Sequence, residues 1–207
     1  DFALLEQEDF EMVQEPDATV EERIASLVGL SDLKDELKQI EALLSMQKRR
    51  REAGYKVLPV ELHAVFSGNS GTGKTTVAQL YADVLRQCGY LKRGHLKVVS
   101  RADLVSGYVG QTAQKTRDAI RDALGGVLFI DEAYALNGGA NDFGKEAIDT
   151  LVDEMTKHQD NLVVVLAGYE QQMNALLASN PGLKSRFKRS FHFPNYSPDE
   201  LIQIIEG

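Results

Sequence analysis

An α/β domain built on a parallel sheet is what this sequence predicts, and three observations predict it. Strand candidates at 62–67, 96–100, 126–131, 162–168 and 190–193 alternate with helical patterns at 74–87, 112–124, 143–157 and 170–178. Such alternation implies right-handed strand–helix–strand units and parallel pairing. Two of the strands, Val127-Leu128-Phe129-Ile130 and Leu162 to Ala167, are apolar at every position, which suits a sheet covered on both faces. Third, residues 68–75 read Gly-Asn-Ser-Gly-Thr-Gly-Lys-Thr and stand between the first strand and the first of these helices.

The elements follow in order. Residues 1–18 are acidic, lack periodicity and carry Pro16, so they read as a tail or linker. Thr19 with Glu22 makes a capping box for a short helix to about Leu27, and Val28-Gly29-Leu30 breaks it. Ser31 is then expected to cap a longer amphipathic helix with Leu33, Leu37, Ile40 and Leu44 on one face. That helix ends near Gly54, and Lys48-Arg49-Arg50-Arg51 near its end complements the helix dipole. In the segment after the glycine-rich turn, Val77, Leu80, Tyr81, Val84 and Leu85 share a face. Ser197-Pro198-Asp199-Glu200 combines a cap, a first-position proline and a capping-box glutamate. The expected division is therefore a tail at 1–18, an α/β domain at 19–196, and at 197–207 the start of a helical unit cut off at Gly207.

Composition narrows the function classes. The 207 residues, 43% hydrophobic and 26% charged, suffice for one sizeable domain. No apolar run is long enough to span a bilayer and no signal peptide opens the chain, so membrane insertion is not expected. The single cysteine, Cys88, forms no internal disulfide and reads as a passive residue near a helix end; a reducing, cytoplasmic compartment is the expectation. A net charge of −8 disfavours nucleic acid and anionic membranes as partners. His63, His95, His158 and His192 lack metal-ligand spacing. Asn195-Tyr196-Ser197 fits a glycosylation sequon, but nothing points to secretion.

The chemistry sits in two places. The pattern G-x-x-x-x-G-K-[ST] at 68–75 is a phosphate-binding loop. Gly68, Gly71 and Gly73 allow a tight turn, so the main-chain N–H groups of Asn69, Ser70, Gly71, Thr72, Gly73, Lys74, Thr75 and Thr76 can converge on phosphate oxygens at a helix start. Lys74 would neutralise the β- and γ-phosphates of ATP, and the Thr75 hydroxyl would ligate Mg²⁺. The second place is Val127-Leu128-Phe129-Ile130-Asp131-Glu132, an apolar strand ending in two acids. Ligands in open α/β sheets lie beyond the carboxyl ends of strands. Asp131 would help hold the hydrated Mg²⁺, and Glu132 would polarise a water. A kinase excludes water, so Glu132 argues for hydrolysis. Taken alone, the two acids are a strand-end cap; together with the loop they make an ATPase site.

Several segments resemble the AAA+ ATPases, in the group containing red-type rubisco activase, stage V sporulation protein K and the type VII secretion ATPases. They stand here as HAVFSGNSGTGKTTVA, RADLVSGYVGQTAQKT, GGVLFIDEAYAL, DFGKEAIDTLVDEM, LVVVLAGY and NPGLKSRF, and the likeness runs from about Leu27 to the carboxyl terminus. The resemblance implies a P-loop NTPase core with a five-stranded sheet in the order 5-1-4-3-2, a ring oligomer, usually a hexamer, and a protein client. It implies that Gly29 and Leu30 contact adenine through their main chain, where the residues alone show only a helix-breaking turn. It implies that Arg186 is an arginine finger reaching a neighbouring subunit, with Arg189 as a rival. It implies that Tyr108, Val109 and Gly110 form a pore loop gripping a polypeptide, against the plainer reading of a tyrosine packed on its own domain. The loop 137–144 resembles a segment near the central channel, and Asp142 is expected to start the following helix. Two departures stand out: the fourth strand runs into Ala167-Gly168-Tyr169-Glu170 without the usual polar sensor, leaving Tyr169 as a candidate, and the helical lid is expected to be absent. Two rival functions are a nucleotide-dependent assembly switch without threading and a nucleic-acid motor; the charge of −8 and the lack of a basic pore stripe weigh against the latter.

Overall fold

The computed structural model describes residues 18–57, 59–108, 110–138 and 143–206. Two helices come first, α1 (Val20–Ser26) and α2 (Ser31–Glu52). Then follow β1 (Ala64–Gly68), α3 (Lys74–Gln87), β2 (Leu96–Val99), α4 (Arg101–Leu104), α5 (Thr112–Ala123) and β3 (Val127–Ile130). A 3₁₀ turn at Ala133–Leu136, α6 (Gly144–Lys157), β4 (Val163–Gly168), α7 (Glu170–Ser179), α8 (Pro181–Arg186), β5 (Arg189–Phe193) and α9 (Pro198–Glu206) complete the order. The strands form one parallel sheet, β2-β3-β4-β1-β5, which is the expected order 5-1-4-3-2 seen from the other side.

Strand side chains point alternately to two cores. Phe66, Phe129, Val165 and Phe191 meet the apolar faces of α1, α2 and α3. Val65, Leu128, Ile130, Val164 and Leu166 meet α5, α6 and α7. Phe66 is central to the first core, with the rings of Tyr81, Phe129, Phe191 and Phe193 at 5.1 to 6.4 Å. Burying the Tyr81 ring leaves a hydroxyl in need of a partner, and it donates to the Leu62 carbonyl at 2.8 Å. Both faces are thus covered, as the unbroken apolar strands require.

Local signals explain most boundaries. Thr19 accepts from Glu22 N at 3.2 Å while Glu22 accepts from Thr19 N at 2.8 Å, the reciprocal box expected for α1. Ser197 and Glu200 do the same for α9, at 3.3 and 2.7 Å. Ser31 departs from expectation: it is the first residue of α2, and the capping position belongs to Leu30, which makes no side-chain cap. The reason is that Gly29 (φ 63°) and Leu30 (φ 54°) are both left-handed and turn the chain into the helix one residue sooner. The short α8 carries signals that local patterning passed over: Asn180 Oδ1 accepts from Leu183 N at 3.0 Å and Pro181 opens the helix. The tail at 1–17, Val109 and Asp142 lie outside the described residues.

Candidate functional site

β1 lies in the middle of the sheet, and at its carboxyl end the chain enters the glycine-rich loop. A side chain on Gly68 would collide with the Phe193 carbonyl oxygen and lie 2.8 Å from Phe193 Cβ on β5. Gly71 (φ 77°) and Gly73 (φ 86°) are left-handed, a conformation that costs glycine little, and Gly73 passes directly into α3. Inside the loop Thr72 Oγ1 donates to the Asn69 carbonyl at 2.8 Å. Lys74 Nζ donates to the carbonyls of Gly68 and Asn69 at 3.0 and 2.6 Å. Burial pulls the Lys74 ammonium below the ordinary lysine range, and the Asp131 carboxylate works against that shift. Thr75 and Thr76 stand exposed on the first turn of α3.

The acid pair occupies the end of β3, with β4 between it and β1. Asp131 N donates to the Val99 carbonyl at 2.8 Å, which ties the acid to β2. Asp131 Oδ1 accepts from Glu132 N at 3.0 Å. Glu132 has φ 48° and is exposed. Among the described residues, Leu30 and Glu132 are the non-glycine residues with positive φ. Such conformations are uncommon, cost energy and gather at functional sites. Beside the acids a cleft of about 530 Å³ is lined by Ser100, Arg101, Ser106, Asp131, Glu132 and Phe143, among others. At the end of β4 a Cβ on Gly168 would sit 2.7 Å from Tyr134 Cδ1. The Tyr134 ring thus covers the end of β4, where the resemblance would place a polar sensor, and the Tyr169 ring lies 6.0 Å from it.

A third element closes on the loop. The connector from β5 to α9 lies against it: Asn69 Nδ2 donates to Asn195 Oδ1 at 2.8 Å, and Tyr196 Oη donates to the Thr72 carbonyl at 3.2 Å. The Glu200 carboxylate packs against Gly29. The left-handed turn at Gly29-Leu30 and the phosphate loop are therefore brought to the same segment, 193–200. Sequence reasoning singled out Asn195 and Tyr196 only as part of a sequon. Their contacts span 126 and 124 residues, and the available signal was their position just past the strand that pairs with β1.

Two predicted residues lie apart from this group. Tyr108 is 71% exposed, so it is not packed on its own domain. Its loop is braced at the base, where Ser106 N donates to Thr112 Oγ1 at 3.0 Å, and Gly110 is left-handed with φ 77°. Arg186 ends α8, three residues before β5, and so lies at the amino end of the parallel strands, opposite the loop. Its guanidinium donates to Thr156 Oγ1 at 2.7 Å and to the Gly182 carbonyl at 3.2 Å. It lines a hollow of about 830 Å³ together with Lys48, Arg51, His63 and Tyr90, among others. Arg189 is held by the Glu61 carbonyl at 2.7 Å and by Glu36 at 3.5 Å.

These features define a phosphate-loop nucleotide-binding domain: glycine-rich loop, helix start and strand-end acids on one end of a parallel sheet. The family model for AAA, the ATPase family associated with various cellular activities, matches residues 64–195, more than half the chain, and the chain belongs to that family, in the group of stage V sporulation protein K and CbbX. The stage V sporulation protein K of Bacillus subtilis (strain 168) is 50% identical over 188 residues, 90% of this chain and 58% of that protein. Protein CbbX of Cereibacter sphaeroides is 46% identical over 187 residues, 89% of this chain and 60% of that protein. The chloroplastic ribulose bisphosphate carboxylase/oxygenase activase of Cyanidioschyzon merolae is 46% identical over 180 residues, 86% of this chain and 61% of that protein. The chain thus spans about three fifths of the length of these relatives. Among solved structures, the FIGL-1 AAA domain in complex with ADP superposes with a TM-score of 0.59 at 21% identity, covering 88% of this chain and 59% of that one, a likeness of fold. Among the described residues no helix is long and apolar enough to cross a membrane.

Proposed function

We propose that this domain binds ATP with Mg²⁺, hydrolyses it, and uses the turnover to remodel a protein partner drawn through the pore of a ring of its own copies. One observation carries the ATP-binding part. The loop after β1 and the acid pair after β3 flank the end of β4, with the Asp131 carboxylate close enough to favour the charged Lys74 ammonium. A cradle of main-chain N–H groups, a lysine, two exposed hydroxyls and a carboxylate is a donor set that fits a polyphosphate and a hard cation. A magnesium ion, when held by the Thr75 hydroxyl and the Asp131 carboxylate, supplies charge screening between the phosphates.

The chain's own residues do the rest. Lys74 exchanges its two carbonyl partners for phosphate oxygens. Glu132, exposed and next to the cation ligand, accepts a proton from the attacking water. Gly29 and Leu30 offer main-chain groups to adenine. Arg186 lies a strand away from the loop of its own chain, roughly 15 Å by strand geometry, so it serves the site of a neighbour. A subunit that completes the next subunit's site implies head-to-tail contacts, which close into a ring; six copies is the size the resemblance favours. Tyr108, exposed on a loop braced at its base, presents a ring that grips peptide without reading its sequence. That the partner is a protein accords with the activase named among the relatives.

Isothermal titration with Mg·ATP tests the first step. Wild type is expected to give a saturable heat, and Lys74→Ala to lose affinity by a factor of about 100 or more, the worth of a partly buried charge pair. Equal binding by the two proteins overturns the site.

A further inference from the structure

We propose that Tyr196 is a positioning residue of the phosphate loop, acting through the peptide between Thr72 and Gly73. This rests on the ATP-binding reading above and adds a residue that the loop motif does not contain. The argument begins with peptide geometry. In a planar trans peptide the carbonyl and the N–H point in opposite directions. Tyr196 Oη takes the Thr72 carbonyl at 3.2 Å. The N–H of Gly73, on the other side of the same peptide, is thereby aimed away from Tyr196.

The neighbouring contacts fix the same peptide. Thr72 Oγ1 holds the Asn69 carbonyl at 2.8 Å, and Asn69 is tied to Asn195, the residue before Tyr196, at 2.8 Å. Gly73 has φ 86°, and a Cβ on it would lie 3.0 Å from Tyr196 Oη, so the hydroxyl sits against the glycine itself. Gly68, at the start of the loop, is in contact with Phe193, three residues before Tyr196. The end of β5 touches the loop at its first position and the connector touches it at the second, fifth and sixth, and Tyr196 is the member whose donor acts on a peptide of the cradle.

The role is visible in the hydroxyl alone, so Tyr196→Phe is the informative variant; the ring stays and one hydrogen bond goes. The Kd for Mg·ATP and Mg·ADP by calorimetry is expected to rise about threefold to tenfold, the worth of one hydrogen bond. KM rises with it and kcat stays, because the bond acts on bound ground state and transition state alike. Binding of adenosine, which has no phosphate, is expected to be unchanged by saturation-transfer NMR, and the melting temperature without nucleotide to match wild type. Affinities for both nucleotides within twofold of wild type overturn the proposal. So does a variant that loses adenosine and melts early, which makes the contact structural. A wild-type protein that binds no Mg·ATP overturns the ATP-binding reading instead, so the two failures are told apart.

Discussion

The two ends of the sheet are built differently. At the amino end, side chains hold the chain together. His63 Nδ1 accepts from Val164 N at 3.0 Å, Arg189 reaches the Glu61 carbonyl at 2.7 Å, Lys188 pairs with Glu61 at 2.7 Å, and Tyr81 reaches the Leu62 carbonyl at 2.8 Å. At the carboxyl end the main chain does unusual things, with left-handed glycines at 71 and 73 and a left-handed Glu132, while Thr75, Glu132 and Tyr108 stand exposed. Side chains hold the carboxyl end too, from Tyr196 to the Thr72 carbonyl and from Asn69 to Asn195; what that end adds is left-handed main chain and exposed polar groups. If the contrast is sound, substitutions at the carboxyl end change activity and leave folding alone, and those at the amino end do the reverse.

Arg186 is the exception that tests this hardest. It lies at the amino end and is bonded to Thr156 and Gly182, yet it is proposed to act in a neighbour's site. Arg186→Ala is expected to lower turnover of the assembled protein by about 10³-fold, as fingers supplied in trans do elsewhere, with a small effect on melting. Mixing it with Lys74→Ala subunits, which retain Arg186, restores turnover. Without restoration, Arg186 joins the structural residues around it and the contrast becomes complete.

Glu132→Gln tests the other end. Loss of a general base lowers kcat by about 10²–10⁴-fold, while the Kd for Mg·ATP stays near wild type. Unfolding free energy moves by less than about 0.5 kcal/mol, because the side chain is exposed. Unchanged turnover removes Glu132 as the base.

His63 measures the amino end through pH. Burial, with a smaller contribution from Arg186 and against the pull of Glu61, lowers its pKa to about 4. The fold therefore favours the neutral ring, whose Nδ1 accepts the Val164 N–H. The unfolded chain binds a proton near pH 6.5, so this contribution is complete above about 6.5 and is lost as pH falls toward about 4. A full loss is roughly 2–3 kcal/mol, taken below the bare shift because the ring is partly exposed. Urea unfolding at about pH 7.5 and about pH 4.5 reads it, and His63→Asn, which keeps an acceptor and cannot titrate in this range, flattens the dependence. Equal slopes in both proteins show that His63 does not carry the acid sensitivity.

The contrast also explains what the sequence made legible. The apolar faces of α2 and α3, the five strands and the loop at 68–75 all rest on local periodicity or spacing, and each was readable. The strand order came from the resemblance, since no local pattern orders five apolar runs. Leu30 rather than Ser31 ends up at the start of α2 because two successive left-handed residues intervene, and nothing in Gly29-Leu30-Ser31 announces that a leucine will adopt φ 54°. The Tyr196–Thr72 and Asn195–Asn69 contacts were unreadable because they are tertiary, made where β5 runs alongside β1. A loop motif shows what touches phosphate and is silent on what holds the loop.

Tyr108→Ala has the smallest expected effect on the isolated subunit and the most to say about what the carboxyl end serves. A ring 71% exposed contributes little to packing, so its removal is expected to shift unfolding free energy by less than about 0.5 kcal/mol. Basal ATPase activity stays, since the loop is anchored by the Ser106–Thr112 bond and by the Tyr108 main chain, which alanine keeps. What is lost is work on the partner, read as failure to remodel a protein captured by the Glu132→Gln variant. A Tyr108→Ala protein that melts early and loses basal hydrolysis assigns the ring to the fold. One that still remodels the captured partner removes Tyr108 as the gripping residue, whereas a wild-type protein that assembles with ATP and remodels no captured partner leaves a nucleotide-dependent assembly switch as the better account.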